Sequence, residues 1–156
     1  MGFYPVQVYL RVCQFGIIIL RMDSRGYSEL DHTADLALRV WGEEFFALLE
    51  QSALGMYDLM GVIVNEKVRI DHQFLIDLST PETMLVDFLG ELLYQAEVQK
   101  FAYSGFKFSI TEENIKIQSA GHPVLEIKQE FKAVTYHDLE IQKSETGLET
   151  IITFDV

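Results

Sequence analysis

The stretch LALRVWGEEFFALLEQSALGMYDLM, residues 36–60, joins a strand pattern to a helix pattern and decides the fold. Residues 36–41 alternate in the manner of a half-buried strand, and Gly42 ends the alternation. Residues 43–60 carry apolar side chains at helical spacing, behind two glutamates that complement the helix dipole. Gly61 is the predicted end of this helix. The stretch therefore predicts a strand followed directly by an amphipathic helix.

A second helix is predicted over residues 79–99, where the apolar side chains form one wide stripe. Two starts fit the sequence. Thr80 can cap the helix with Pro81 at its first position, or Ser79 and Glu82 can form a capping box.

The rest of the chain after residue 61 has strand patterns. The predicted strands are residues 62–70, 73–78, 106–111, 115–118, 124–136, 139–144 and 148–156. Short turns join 106–111 to 115–118 and 139–144 to 148–156, which indicates two hairpins. This order predicts an α+β fold in which two amphipathic helices pack on largely antiparallel β-sheets.

The composition favours one domain and disfavours direct contact with nucleic acid. The chain has 156 residues, and its 24 acidic and 12 basic side chains give a formal net charge of −12. Nucleic-acid binders normally present a basic face, so an acidic chain suits a cation or a partner with a basic surface. The single cysteine, Cys13, excludes an intrachain disulfide and fits a reducing cytoplasm.

The first 21 residues are apolar and unlike the rest of the chain. They lack the positive start and unbroken apolar run of a signal peptide, and Arg11 interrupts them as a membrane span. Three interpretations remain open: an added strand or helix packed on the domain, a membrane-associating segment, or translation from an upstream start codon with Met22 as the natural start.

Three acidic groups are the candidates for cation binding. Asp35 lies directly before the first predicted strand, and the last predicted strand ends with Asp155 and the α-carboxylate of Val156. Asp35 alone fits a surface residue, a turn residue or a cation ligand. If the last strand packs beside it, the three groups form an all-oxygen cluster that suits Mg²⁺, Ca²⁺ or Mn²⁺.

Lys132 is a further functional candidate, in the predicted strand 124–136 between Phe131 and Ala133. It is either a solvated residue or, close to the carboxylates, a group that positions a phosphate or a partner. His32 alone is typical of a turn or core histidine. The sequence has no paired-histidine or paired-cysteine zinc pattern, nucleotide-binding glycine motif or nucleophile elbow, so a self-contained enzyme is poorly supported.

Five stretches in this order resemble the archease family. They are LDHTADLALRVWG (30–42), the amphipathic helix that follows, LVDFLGELLY (85–94), FKAVTYHDLEI (131–141) and the terminal TFDV (153–156). The resemblance covers roughly residues 27–156 and implies a single archease-like domain over residues 22–156. Residues 1–21 depart from the family pattern, and nothing can be carried over to them.

The resemblance implies an accessory protein of the cytoplasm and not an enzyme. Archease assists the RtcB-type RNA ligase of tRNA splicing and RNA repair, which joins RNA ends through a guanylylated histidine with GTP and a divalent metal. It promotes that guanylylation and lets the ligase turn over repeatedly. The family's metal site maps to Asp35, Asp155 and Val156, and its functional lysine maps to Lys132. The implied partner is the ligase, with no direct nucleic-acid contact and no membrane contact expected.

Two other functions stay open beside the ligase activator. One is a metal-dependent hydrolase that would use His32 or His137 as its base. The other is a chaperone-like binding module in which the acidic residues are only a solvated face.

Overall fold

The computed structural model describes residues 24–30 and 35–156, and of residues 9–12 and 18–21 it describes the backbone. The other residues of the N-terminal segment, together with Asp31 and His32, lie outside the described part. The three interpretations of residues 1–21 therefore remain predictions. The two short backbone stretches pair antiparallel, from Tyr9 opposite Arg21 to Val12 opposite Ile18.

Eleven strands and two α-helices occur in the described residues. In chain order they are β1 (Tyr9–Val12), β2 (Ile18–Arg21), β3 (Gly26–Leu30), β4 (Leu36–Gly42), α1 (Phe45–Met60), β5 (Ile63–Val64), β6 (Ile70–Asp77), α2 (Pro81–Tyr94), β7 (Phe101–Ile110), β8 (Asn114–Glu126), β9 (Ala133–Thr135), β10 (Gln142–Ser144) and β11 (Gly147–Asp155). A π-helical turn, Gln95–Gln99, continues α2.

Besides the β1–β2 pair, the strands form two antiparallel sheets. In the first sheet the order is β10-β11-β4-β3, and β9 pairs with the second half of β11. In the second sheet β6 and β7 flank β8, while β5 pairs with the far end of β8. Both helices contribute their apolar stripes to one core, in which Phe88 of α2 contacts Phe74, Phe106 and Phe108 of the second sheet. The predicted α+β fold with two amphipathic helices is confirmed.

The ends of the helices follow from local sequence. The Glu44 side chain caps α1 by accepting from the N–H groups of Phe46 and Ala47, and Gly61 ends it at φ 59°, a left-handed conformation that favours glycine. Thr80 caps α2 by accepting from the Thr83 N–H, with Pro81 as the first helical residue. The Ser79–Glu82 capping box is wrong, because the Glu82 carboxylate instead accepts the N–H of Ile141 at 3.0 Å.

The strands predicted over residues 62–70 and 73–78 have different bounds in the structure. The first is only Ile63–Val64, because Asn65 begins a turn: its carbonyl accepts from the Val68 N–H and its side chain accepts from the Lys67 N–H. The second begins earlier, at Ile70. An asparagine side chain that bonds to nearby backbone competes with strand pairing in this way.

The long strand predicted over residues 124–136 is wrong. β8 ends at Glu126, and the N–H groups of Lys128 and Gln129 both donate to the Met60 carbonyl at 3.0 Å. Extended pairing resumes only in β9, at Ala133. Lys132 therefore lies just before a strand and not within one, directly after the buried Phe131.

The second helix and the two hairpins also differ in detail. The α-helical part of the predicted 79–99 helix ends at Tyr94. The strand predicted at 106–111 already begins at Phe101 and contains a register shift between Ser104 and Lys107, with Gly105 at φ 64°. The predicted 139–144 strand starts only at Gln142. Within the described residues, no helix is both long enough and apolar enough to cross a membrane.

Candidate functional site

The pairing of β4 with β11 brings two of the predicted acidic residues to the same place. Thr153 lies opposite Ala37 and Phe154 lies opposite Leu36. Asp35 and Asp155 are the next residues beyond the last pair of this register, and both are exposed. Two carboxylates therefore share one end of the first sheet.

Hydrogen bonds hold Lys132 and Val156 together at the same end of the sheet. The Lys132 N–H donates to the Asp155 carbonyl at 2.8 Å, and the Lys132 Nζ donates to the Val156 O atom at 2.9 Å. Ala133, the next residue, lies opposite Asp155 in the β9–β11 pair. The structure thus brings together all four residues that the sequence identified as site candidates.

The structure describes one of the two histidines of the hydrolase hypothesis, His137. His32 is outside the described residues. His137 lies on an exposed turn, where its Nε2 is 3.1 Å from the Asp138 carboxylate. The turn is closed by the Leu139 N–H, which donates to the Tyr136 carbonyl, and Asp138 has a φ of 58°.

The chemistry of the donor set fits a hard divalent cation. The donors are the carboxylates of Asp35 and Asp155 and the carboxylate of Val156, all of them oxygen ligands. Within the described ranges no group of three or more His, Cys, Asp or Glu side chains could hold a metal ion. The candidate set has only two such side chains, and its third donor is the terminal carboxylate. Two carboxylates and a terminal one would supply only part of a coordination shell, which suits Mg²⁺ because it usually keeps several of its waters. The Lys132 ammonium group, which donates to the Val156 O atom, offsets part of the negative charge of the three carboxylates.

Glu97 is a residue of this region that sequence reasoning missed. Its Oε1 accepts the N–H of Phe131 at 2.8 Å, and Phe131 directly precedes Lys132. No sequence signal distinguishes Glu97 from the other acids of the helix, since it acts on a segment 34 positions away. Glu82, at the other end of α2, makes a similar bond to Ile141.

A separate cleft lies away from these strand ends. It lies on the second sheet, has a volume of about 360 Å³, and is lined mainly by polar side chains, among them Arg69, Asp71 and Lys107. None of the predicted site residues lines it. We place the candidate site at the strand ends, because the β4–β11 register and the two hydrogen bonds of Lys132 bring the predicted residues to that place.

A small α+β domain with an acidic, lysine-bearing strand end is the class of protein that the fold and site define. Residues 27–156 match the model of the Archease protein family (MTH1598/TM1083). The chain belongs to the archease family.

Individual proteins agree with this family membership. The protein archease of Methanosarcina barkeri is 36% identical over 148 residues, which cover 86% of this chain and all of that protein. The protein archease of Pyrococcus furiosus is 31% identical over 79% of this chain and 92% of its own length. The fold resembles a Thermotoga maritima crystal structure described as an archease and possible chaperone, with a TM-score of 0.63, 20% identity, and coverage of 83% of this chain and 96% of that one.

Proposed function

We propose that this protein activates an RtcB-type RNA ligase in tRNA splicing and RNA repair, as an accessory protein and not as an enzyme. In this function it promotes guanylylation of the ligase and allows repeated turnover. The observation that carries the proposal is the β4–β11 register, which aligns the acidic ends of two strands that are far apart in the sequence. Membership of the archease family supports the same function.

Asp35, Asp155 and the α-carboxylate of Val156 would hold one divalent cation, Ca²⁺, Mg²⁺ or Mn²⁺. When bound, such an ion supplies positive charge that can be presented to the phosphates or carboxylates of a partner. The residues of this chain fix the geometry, because strand ends held by a paired register are rigid supports. Lys132 is held on Val156 and adds a second cationic group beside the carboxylates.

The charge of the chain supports a protein partner over a nucleic-acid one. The formal net charge is −12, so a basic, RNA-binding ligase is attracted while RNA itself is repelled. We propose that the protein meets the ligase in the cytoplasm and that neither nucleic acid nor a membrane binds to it directly.

The test is single-turnover guanylylation of the cognate ligase with wild-type protein, Asp35→Ala and Asp77→Ala. Asp77 is a matched control, since it is also an exposed aspartate at a strand end, but in the second sheet. We expect acceleration by the wild type and by Asp77→Ala, and none by Asp35→Ala. Equal acceleration by all three proteins would refute a role for the strand-end site. No acceleration by any of them, with an active ligase, would refute the ligase function.

A chaperone-like binding module is the second candidate. It is supported by the description of the Thermotoga maritima relative as a possible chaperone. This function predicts suppression of the aggregation of unrelated unfolded proteins, with no specific effect of Asp35→Ala. The two functions are separated by measuring aggregation suppression and ligase guanylylation with the same protein samples.

A further inference from the structure

We propose that Glu97 is the positioning residue for Lys132: its carboxylate, presented by the π-helical turn after α2, holds the segment that ends at Lys132. The use of Lys132 in ligase activation rests on the proposed function. The positioning itself is a property of this chain and can be measured without a ligase.

The segment between β8 and β9 has no strand ladder to hold it. Four of its backbone N–H groups donate individually to other elements instead. Those of Lys128 and Gln129 donate to the Met60 carbonyl at the end of α1, and that of Lys132 donates to the Asp155 carbonyl. Between these two anchor points, the Phe131 N–H donates to the Glu97 carboxylate at 2.8 Å. Apart from the bond to Asp155 within the site itself, the bond to Glu97 is therefore the one made closest to Lys132 along this segment.

The bond from Phe131 to Glu97 is of a strong kind. Its acceptor is a carboxylate, and its donor belongs to a residue that is only 1% exposed. Glu97 itself is half-buried, and among the described residues no ion pair includes it. Without the carboxylate, a buried N–H would lose its partner, which the segment could relieve only by shifting Phe131 and Lys132.

The backbone that carries Glu97 is unusual in two ways. Residues Gln95–Gln99 form a π-helical turn, and the next residue, Lys100, has a φ of 62° and donates its N–H to the Gln95 carbonyl. π-helical turns are rare and occur frequently at functional sites, because they change the direction of the side chains that follow. A non-glycine residue at positive φ is also uncommon. Glu97 lies within the π-helical turn and three residues before Lys100.

α2 also supplies a matched control. Glu82, in its first turn, accepts the Ile141 N–H at 3.0 Å and so binds the next connection along the chain, between β9 and β10. Both glutamates accept a hydrogen bond from a backbone N–H group, Glu82 from within α2 and Glu97 from the π-helical turn that continues it. Only the Glu97 bond lies immediately before Lys132.

The experiment compares Glu97→Met, Glu97→Gln, Glu82→Met and Lys132→Ala. Amide hydrogen exchange of the isolated protein is measured by NMR, and ligase guanylylation is measured with each variant. In Glu97→Met we expect exchange of the Phe131 amide to rise about 10-fold or more, as loss of one charge-assisted bond predicts, while the amides of α1 are unchanged. Activation should fall by about the same factor, and Glu97→Gln, which keeps the acceptor oxygen, should restore most of both.

Glu82→Met should leave the Phe131 exchange rate and ligase activation within about twofold of the wild type. Unchanged exchange at Phe131 in Glu97→Met would overturn the proposal, as would an equal loss of activation in Glu82→Met. If Lys132→Ala activates the ligase normally, the role of Lys132 in the proposed function is wrong, while the exchange rates still decide whether Glu97 positions the segment.

Discussion

The rings of Phe131 and Phe154 stack with their centroids 4.8 Å apart and their planes at 30°. Both phenylalanine side chains are buried. Phe131 directly precedes Lys132, and Phe154 directly precedes Asp155. Because neighbouring residues on an extended chain point to opposite sides, an aromatic ring fixed in the core places the following polar residue at the surface. The core contact thus sets the relative position of two site residues.

Phe131→Ala should destabilise the protein by roughly 3–5 kcal/mol, because it removes a buried ring and leaves a cavity against Phe154. Urea denaturation of the variant and the wild type measures the free energy of unfolding. Leu125→Ala is the control, since Leu125 is 66% exposed and its loss should change stability by less than about 0.5 kcal/mol. A cost below about 1 kcal/mol for Phe131→Ala would contradict the tight packing of this pair.

Asp35→Asn and Asp155→Asn should each abolish ligase activation without loss of the fold. In a metal-free buffer we expect each variant to gain a few tenths of a kcal/mol in unfolding free energy, because two like charges lie at the same end of neighbouring strands. Thermal unfolding in EDTA, beside the guanylylation assay, measures both effects. Asp77→Asn should change neither quantity. Parallel loss of stability and activation in the two site variants would indicate structural roles instead.

Residues appended after Val156 should impair activation. The extension converts the α-carboxylate into an amide and removes its charge from the group formed by Asp35 and Asp155. The guanylylation rate is compared for proteins that carry the same short peptide after Val156 or before Met1. Full activity of the C-terminally extended protein would exclude the α-carboxylate as a cation ligand.

Removal of residues 1–21 should leave ligase activation and the described domain intact. The match to the archease family begins at residue 27, so the segment lies outside the family domain. Guanylylation rates and the melting temperature of the shortened protein provide the measurement. A collapse in solubility would show that the segment packs on the domain.

Tyr57 should make the protein less stable at alkaline pH. Burial raises the pKa of Tyr57 above its ordinary value of 10.0, although the Tyr103 N–H, which donates to its hydroxyl at 3.3 Å, partly opposes this rise. Above pH 10 the unfolded chain loses this proton while the folded chain keeps it, so stability falls with rising pH by up to about 1.4 kcal/mol per pH unit.

The check is the free energy of unfolding of wild type, Tyr57→Phe and Tyr136→Phe between pH 8 and pH 11. Tyr57→Phe should be less stable near neutral pH by about 1 kcal/mol, since the Tyr103 N–H loses its acceptor, and its alkaline decline should be shallower. Tyr136 is 53% exposed, and its replacement should leave the wild-type decline unchanged. Identical slopes for all three proteins would rule out Tyr57 as the source.

The sequence predicted the elements whose signals are local. The α1 helix ends at Gly61 as predicted, and the α2 helix begins at Thr80 and Pro81, one of the two predicted starts. A left-handed glycine and a capping threonine both act within one turn. The sequence could single out the candidate site residues because each stands beside a strand pattern or at its end, and their role stays a prediction. The strand predicted over residues 124–136 was wrong. The alternating pattern continues through Lys128, but the Lys128 N–H donates to the Met60 carbonyl and not to a neighbouring strand.

Glu97 could not be found from the sequence because its interaction is also with a distant backbone group. Its partner is a backbone N–H on a segment 34 positions away, and a backbone donor has no residue type that a pattern could reveal. The metal-binding and ligase-activating roles remain predictions that the experiments above address.

The long sequence distance between β4 and β11 has a consequence for folding kinetics. Arg39 and Glu149 form an ion pair at 2.8 Å across these strands although they are 110 positions apart. The β7–β8 hairpin, in contrast, closes at Thr111, whose N–H donates to the Asn114 carbonyl. Closing the longer loop costs more entropy and slows folding, so we expect the hairpin to form early and the Asp35–Asp155 end to assemble late. A folding intermediate that contains the second sheet would then have no candidate site, and activator function would report only the completely folded chain.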